Sequence, residues 1–196
     1  MSAEKLRIGF VGCGFMGQLV HLANFTAQED CEVVALAELR PRLRELVAEE
    51  YRIPRTVESH AELAEADDID AVVSITAEDL NEHIACDLLR AGKPVMTEKP
   101  MAPSVEAARR MVEAARVGQA QLMIGYMKRY DAGNELTKDA IDGFRQTGEL
   151  GRVVYARNHG FCGDWVCGLD TPMETTAEPK PEPPPPRLPD WLPARF

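Results

Sequence analysis

Three groups of residues in this chain have side chains and spacings that suit ligand chemistry, and the first is a glycine-rich turn. The sequence GCGFMG, residues 12–17, directly follows an apolar run at residues 8–11. Gly12 permits a tight turn, Gly14 lets a phosphate approach the backbone, and Gly17 lets the following helix pack close to the strand. A phosphate there would meet the free N–H groups and the dipole of a helix N-terminus. The turn therefore predicts binding of a phosphate-bearing ligand, a dinucleotide above all.

An acidic residue and a lysine supply the other two groups. Glu38 ends the second apolar run, about 20 residues beyond the turn, where a carboxylate commonly binds ribose hydroxyls. Lys99 lies in the sequence EKP after a later apolar run, and a lysine amine beside a ligand can act as a general base. The spacing alone leaves a second interpretation of Lys99 open, that of a solvent-exposed lysine beside a turn proline.

Apolar runs alternate with helical patterns over much of the chain, and these elements must position the three groups. Strands are predicted at residues 8–11, 31–37, 56–57, 69–75, 94–96 and 122–125, with helices between them. One helix is predicted to begin with a capping box formed by Ser59 and Glu62, and the helix at residues 80–91 is predicted to end at Gly92. This alternation is typical of an α/β fold, here a doubly wound Rossmann parallel sheet. Ligands bind at the carboxyl ends of such strands. Six polar or glycine residues fall there: Gly12, Glu38, Ser74, Thr76, Glu98 and Lys99.

The composition of the 196 residues disfavours several classes of function. Hydrophobic residues make up 45% and charged residues 28%, and the net charge of −10 argues against nucleic-acid or anionic-membrane partners. No apolar run reaches the length of about 20 residues that spans a bilayer. The N-terminus has no signal-peptide pattern, so a cytoplasmic location is expected. The five cysteines are expected to be reduced thiols, and no metal site is expected.

The pattern changes after residue 125. A long helix is predicted at residues 131–147 and one more strand at residues 152–161, while residues 171–196 contain nine of the fourteen prolines. We therefore predict a dinucleotide-binding domain at residues 1–127, then at 128–170 a connecting helix and the first strand of an incomplete α+β substrate domain. Residues 171–196 are predicted to be an irregular proline-rich tail.

Four longer motifs resemble a known family. They are GCGFMG at residues 12–17, VALAE at 34–38, AGKPVMTEKP at 91–100 and GYMKRYD at 125–131. Together they resemble the Gfo/Idh/MocA oxidoreductases, which include glucose–fructose oxidoreductase and inositol 2-dehydrogenase. The resemblance implies an N-terminal Rossmann domain that binds NAD(P). It also implies a C-terminal α/β domain with the substrate wall and the oligomer interface, so a homo-oligomer is one expected assembly.

The resemblance also implies a role for each matching residue. Glu38 would bind the adenosine ribose, which favours NAD, whereas Arg40 could reach the 2′-phosphate of NADP. Asn81 stands where the family has a histidine, and Cys13 is interpreted as a backbone N–H donor rather than a nucleophile. The implied cofactor-binding residues are Gly12, Cys13, Gly14, Phe15, Met16, Gly17, Glu38, Arg40, Ser74, Thr76, Asn81, Glu98, Lys99 and Arg129.

The implied reaction is hydride transfer between the nicotinamide and a secondary alcohol of a sugar, amino sugar or cyclitol. Lys99 is the expected catalytic base, since burial and the positive nicotinamide ring would both favour its neutral amine. The Asp-x-x-x-His pair that many family members carry on a helix of the C-terminal domain has no match after residue 128 of this sequence. Two alternatives therefore stay open: a dinucleotide-binding protein without turnover, truncated or completed by a partner, and, more remotely, a methyltransferase-like Rossmann domain.

Overall fold

The structure is a computed structural model, and it describes residues 4–157, 159 and 173–179. This part of the chain forms two compact units. The first runs to Gly125 and includes residues 173–179, and the second begins at Tyr126. The strands of the first unit are β1 (Leu6–Val11), β2 (Cys31–Ala37), β3 (Arg55–Val57), β4 (Ala71–Ser74), β5 (Val95–Glu98) and β6 (Leu122–Gly125). Its helices are a π-helical segment (Gly17–Leu22) that continues as α1 (Ala23–Ala27), then α2 (Pro41–Glu50), α3 (His60–Glu65), α4 (Glu78–Arg90) and α5 (Val105–Val117).

All six strands are parallel and lie in the order β3-β2-β1-β4-β5-β6. This arrangement confirms the predicted doubly wound Rossmann sheet. The strand order reverses between β1 and β4, and in such sheets ligands bind in the crevice outside the carboxyl ends at that point. Val11 pairs with Ala37 on one side and with Ser74 on the other. The residues after β1, β2 and β4 therefore begin at the same edge of the sheet.

Helices cover both faces of the sheet and bury its apolar side chains. On one face Leu63, Leu88 and Met111 pack in the same cluster as Val72. A second cluster includes Phe10, Leu22, Leu36, Leu43 and Val47. Complete burial of such side chains stabilises a fold by about 1.5–3 kcal/mol each. This two-sided core explains why the predicted strands are continuous apolar runs rather than alternating ones.

The local signals at the helix ends act as the sequence predicts. The Ser59 hydroxyl accepts the N–H of Ala61 at 3.0 Å, and the Glu62 carboxylate accepts the N–H of Ser59 at 3.2 Å, so the capping box is confirmed. Gly92 follows α4 with a φ of 81°, a left-handed conformation that suits glycine. These ends fix where α3 and α4 begin and stop.

The predicted strand at residues 152–161 is wrong over the residues that the structure describes there. Residues 153–157 have no strand conformation, and the side chains of Val153, Val154 and Tyr155 are exposed. A strand is stable only beside another strand that pairs its backbone groups. The apolar alternation alone therefore could not form a strand at this place. The rest of the predicted strand, except residue 159, and most of the predicted tail lie outside the described residues.

The second unit is mainly one helix. A 3-10 turn (Met127–Tyr130) leads to α6 (Ala132–Thr147), and the Asp131 side chain accepts the N–H groups of Gly133 and Asn134 at its start. No helix in the described part of the chain has the length and apolar character needed to cross a bilayer.

An ion pair between Arg7 and Asp70 joins the starts of β1 and β4, and it supplies a testable pH dependence. The Arg7 side chain and its backbone N–H both bond the carboxylate, and they lower the pKa of Asp70 to about 2. The unfolded value is about 3.9. The pair therefore contributes its full stability above about pH 4 and loses it as the pH falls toward 2.

Asp70→Asn is expected to lower the free energy of unfolding at pH 7 and to flatten its decline between about pH 4 and pH 2. Urea unfolding at several pH values measures both effects. Asp142→Asn, in the exposed pair with Lys138 of α6, is the control and should change the profile less. Parallel profiles for wild type and Asp70→Asn over that pH range would contradict the assignment.

Candidate functional site

A cavity of about 520 Å³ lies at the carboxyl edge of the sheet, where the strand order reverses. Residues that follow three different strands form its wall. They include Gly12 and Gly14 after β1, Glu38, Leu39 and Arg40 after β2, and Ile75, Thr76 and Ala77 after β4. Residues of α3 and α4 complete the rim, among them His60, Leu80 and His83.

The glycine turn owes its shape to two tight contacts and one open position. Gly12 has a φ of 83°, and a Cβ on it would lie 2.4 Å from the carbonyl oxygen of Ile75. A Cβ on Gly17 would lie 2.6 Å from the carbonyl oxygen of Gly12. A Cβ on Gly14, in contrast, would meet no atom of the described residues within 4 Å. Gly12 and Gly17 are thus required by the fold itself, while Gly14 leaves open space that a phosphate could occupy. Phe15 and Met16, both half-buried, begin the helix after the turn.

The Glu38 carboxylate is bonded to donors from this chain. The side chain is only 8% exposed. Its Oε1 accepts the Arg40 Nε–H at 2.8 Å, and its Oε2 accepts the Cys13 backbone N–H at 3.2 Å. The backbone N–H of Cys13, which is predicted to donate to a bound cofactor, therefore donates to Glu38 in this structure. Burial alone would raise the pKa of Glu38, but the bonds from Arg40 and Cys13 hold it below its ordinary value.

Arg40 binds the same carboxylate with a second nitrogen. Its Nη2 lies 3.2 Å from Glu38 Oε2, so the guanidinium and the carboxylate form a two-point ion pair. Both residues line the cavity. The pair places a carboxylate that could bind ribose hydroxyls beside a cation that could bind a 2′-phosphate.

Cys13 has the character of a structural thiol. Its side chain is fully buried, and burial followed by the nearby Glu38 carboxylate raises its thiol pKa strongly. A thiol that stays protonated is a poor nucleophile. Cys13, Cys31 and Cys86 are all free cysteines, while Cys162 and Cys167 lie outside the described residues.

The cofactor-binding residues predicted after β4 differ in whether they line the cavity. Thr76 lines it, and its hydroxyl, like that of the buried Ser74, has no hydrogen-bond partner within the described chain. Asn81 does not line it. The Asn81 amide oxygen accepts the Thr97 hydroxyl, and its nitrogen donates to the carbonyl of Met101 at 3.3 Å. The structure therefore gives Asn81 a role in joining α4 to β5 and to the segment that follows it.

Glu98 is the last residue of the adjacent strand, β5, and Lys99 follows it. Glu98 Oε1 lies 2.8 Å from His21 Nε2, and its Oε2 accepts the N–H of Lys99 at 3.0 Å. These bonds fix the backbone from which the Lys99 side chain leaves. Lys99 itself is exposed, so the burial that was expected to favour its neutral amine is not present in the described structure. The sequence predicted no role for His21. Only its contact with Glu98, 77 positions away in the sequence, identifies it as a residue that positions Glu98.

Arg129 lies in the second unit, where its guanidinium sits 5.9 Å from the centre of the Tyr126 ring. That distance permits a cation–π interaction. The predicted contact of Arg129 with a cofactor stays a prediction.

Residues 173–179 contact the rest of the first unit beside the glycine turn. The Gln18 side chain donates to the carbonyl oxygen of Glu174 at 3.0 Å and accepts the N–H of Glu174 at 2.9 Å. It also donates to the carbonyl oxygen of Cys13 at 2.8 Å, within the turn. No feature of the sequence pointed to this buried glutamine.

Glu178 in the same segment caps α2. Its carboxylate accepts the N–H groups of Arg42 at 3.1 Å and Leu43 at 3.2 Å. Burial alone would raise the pKa of Glu178, but these bonds hold it below its ordinary value. A carboxylate at a helix N-terminus also interacts favourably with the helix dipole.

The parallel sheet, the tight glycine turn and the cavity at its crevice define a dinucleotide-binding Rossmann protein. The open space at Gly14 and the Thr76 hydroxyl, which has no hydrogen-bond partner among the described residues, fit a bound dinucleotide. Residues 6–126 match the family described as "Oxidoreductase family, NAD-binding Rossmann fold", Gfo/Idh/MocA. The chain belongs to this family, which confirms the resemblance, the fold class and a nicotinamide cofactor.

Individual relatives are similar over the same part of the chain. An inositol 2-dehydrogenase of Rubrobacter xylanophilus is 30% identical over 175 residues, which are 84% of this chain and 49% of the relative. The WlbA dehydrogenase of Bordetella pertussis, crystallised with NADH and UDP-GlcNAcA, is 27% identical with a TM-score of 0.68, over 78% of this chain and 42% of that one. KijD10, a 3-ketoreductase of Actinomadura kijaniata crystallised with NADP, is 28% identical with a TM-score of 0.66, over 71% of this chain and 43% of that one. The chain thus spans about half the length of the relatives that it matches.

Proposed function

We propose that this chain binds NAD or NADP and takes part in hydride transfer to or from a secondary alcohol of a sugar, an amino sugar or a cyclitol. The observation that carries the proposal is the cavity at the crevice, where Gly12, Gly14, Glu38 and Thr76 form one wall. Membership of the oxidoreductase family supports the reaction type. The relatives' names, which include inositol 2-dehydrogenase, 3-ketoreductase and the bound ligand UDP-GlcNAcA, support the substrate class.

Separate groups of this chain's residues would hold different parts of the cofactor. Gly14 would leave room for the pyrophosphate, and the Glu38–Arg40 pair would bind the adenosine ribose or its phosphate. Bound there, the cofactor supplies the hydride chemistry. Lys99 would take up the proton of the alcohol, and Glu98 would position it through the bond to its backbone N–H.

A second function is favoured by a different observation. Lys99 is exposed, and a base in open contact with water lacks the water-excluded site in which removal of the alcohol proton is coupled to hydride transfer. The chain would then bind the dinucleotide without turnover of its own. In both cases cofactor binding is required, so binding and turnover must be measured separately.

The proposal is tested by titrating the protein with NADH, followed by the fluorescence of the nicotinamide, and then by assaying turnover with a panel of polyols and amino sugars. Lys99→Ala is expected to abolish turnover and to leave the NADH affinity within about tenfold, equivalent to about 1.4 kcal/mol. Lys5→Ala is the matched control, because Lys5 is an exposed lysine just before β1, at the opposite edge of the sheet.

Each outcome separates the alternatives. Binding without turnover by the wild-type chain would support the second function and exclude the first for this chain. No NADH binding at all would contradict both functions. If Lys99→Ala keeps its turnover, Lys99 is not the base, and if it loses NADH binding, Lys99 holds the cofactor instead.

A further inference from the structure

Three side chains with metal-binding atoms converge at the rim of the cavity: His60, His83 and Asp87. Among the described residues they are the group of histidine, cysteine and acidic side chains whose ligand atoms all lie within 4.8 Å of one another. The Asp87 Oδ2 atom is 3.3 Å from His60 Nε2 and 3.5 Å from His83 Nε2. The two imidazole rings meet edge to face, with their centres 6.0 Å apart.

The local structure brings these residues together. His83 and Asp87 are four residues apart on α4, so they lie on the same face of that helix. His60 is the first residue of α3, where the capping box of Ser59 and Glu62 holds the helix start. Arg90 lies 3.6 Å from the other oxygen of Asp87, Oδ1. That contact leaves Oδ2 directed at the two histidines.

The contact between His60 and Asp87 is a long hydrogen bond, and both contacts to Asp87 also have the length expected between two ligands of one ion. A charge-assisted N–H···O bond measures about 2.7–2.9 Å, and in this chain His21 and Glu98 meet at 2.8 Å. The two contacts to Asp87 are longer. Ligand atoms about 2.0–2.2 Å from a tetrahedral zinc ion are about 3.3–3.5 Å from each other. The observed separations of 3.3 and 3.5 Å are of that size.

We propose that His60, His83 and Asp87 bind a divalent transition-metal ion, with Zn²⁺ as the preferred ion. Two imidazole nitrogens and one carboxylate suit Zn²⁺, Co²⁺ or Ni²⁺, whereas Mg²⁺ and Ca²⁺ require mainly oxygen ligands. The side chains are 19%, 43% and 39% exposed in that order, so an ion can reach them from solvent. Three protein ligands leave one tetrahedral position open for water or for a ligand in the cavity, which His60 and His83 also line.

This site shares the rim of the cavity proposed for the dinucleotide but uses none of the residues assigned to the cofactor. It was not expected from the sequence. His60 and His83 are 23 positions apart and fit no short zinc-binding spacing. Only the packing of α3 against α4 brings them together. The ion would link these two helices and is therefore expected to raise the thermal stability of the chain.

Isothermal titration of the full chain with ZnCl₂ tests the site. Because cysteine thiolates also bind zinc, the experiment uses a Cys162→Ser/Cys167→Ser background. We expect one Zn²⁺ per chain, an increase in melting temperature with zinc, and no displacement by excess Mg²⁺. His83→Ala and Asp87→Asn should each weaken zinc binding by more than about tenfold. His159→Ala, a histidine outside the cluster, should bind as the background does.

A second readout identifies the ligands directly. Co²⁺ in a tetrahedral site of this kind is expected to give visible absorption bands that disappear in His83→Ala and Asp87→Asn, while circular dichroism confirms that both variants stay folded. Three results would each overturn the proposal: no zinc binding by the background protein, unchanged affinity in the two variants, or equal loss in His159→Ala.

Discussion

Gly12→Ala is expected to abolish measurable NADH binding and to lower the free energy of unfolding by about 2–4 kcal/mol. Gly12 has a φ of 83°, which an alanine adopts only with strain. The added Cβ would also lie 2.4 Å from the carbonyl oxygen of Ile75. That oxygen belongs to the backbone after β4 and cannot move aside as a flexible side chain could. The turn must therefore shift, and the cavity wall that it forms shifts with it.

Urea unfolding and an NADH titration measure the two effects, and Gly14→Ala is the matched control. Within the part of the chain that the structure describes, a Cβ on Gly14 would meet no atom within 4 Å, so the stability of this variant should stay within about 0.5 kcal/mol of wild type. Its NADH affinity should nevertheless fall by more than about tenfold, because the methyl group fills the space proposed for the pyrophosphate. Unchanged binding in Gly14→Ala would mean that the dinucleotide does not approach the turn there.

Features of the fold that depend on residues close together in the sequence could be predicted from the sequence. The glycine turn, the six strands, the capping box at Ser59 and the stop at Gly92 depend on neighbours within a few residues. Each signal is therefore visible along the chain, and the structure contains each element. Residues 152–157 show where a local pattern is not sufficient, since an apolar alternation cannot become a strand without a partner strand.

The side-chain partners of the site could not be predicted in this way. His21 meets Glu98 across 77 positions, and Gln18 meets Glu174 across 156. Such pairs depend on the packing of several elements at once, and no local pattern encodes them. Asn81 illustrates the same point, because no local pattern indicates that its amide bonds Thr97 and Met101. Its predicted contact with a cofactor stays a prediction.

The Glu38–Arg40 pair is expected to control the choice between NAD and NADP. The Glu38 carboxylate accepts hydrogen bonds from the Nε and Nη2 atoms of Arg40. Ribose hydroxyls can therefore bind this carboxylate only by replacing part of that pairing. The freed guanidinium would then face the cavity, where it could bind a 2′-phosphate. The carboxylate repels that phosphate and the guanidinium attracts it, so the two residues act in opposite directions on cofactor choice.

Glu38→Ala is therefore expected to weaken NAD binding by more than about tenfold, or about 1.4 kcal/mol, with a smaller effect on NADP. Arg40→Ala should show the reverse preference. Glu38→Ala should also destabilise the fold by about 3 kcal/mol, because it leaves the half-buried Arg40 without its partner. Titrations with NADH and NADPH, together with urea unfolding, measure these changes.

The exposed pair between Arg42 and Glu45 provides the control for both substitutions. These side chains are 64% and 65% exposed and lie 3.6 Å apart on α2, close to Arg40 in the sequence. Arg42→Ala and Glu45→Ala change the charge by the same amounts but remove only a solvated pair, so stability should change by less than about 1 kcal/mol. Equal losses of NADH and NADPH affinity in Glu38→Ala would contradict its ribose role. Equal shifts in the Arg42 and Glu45 variants would instead assign the effect to net charge alone.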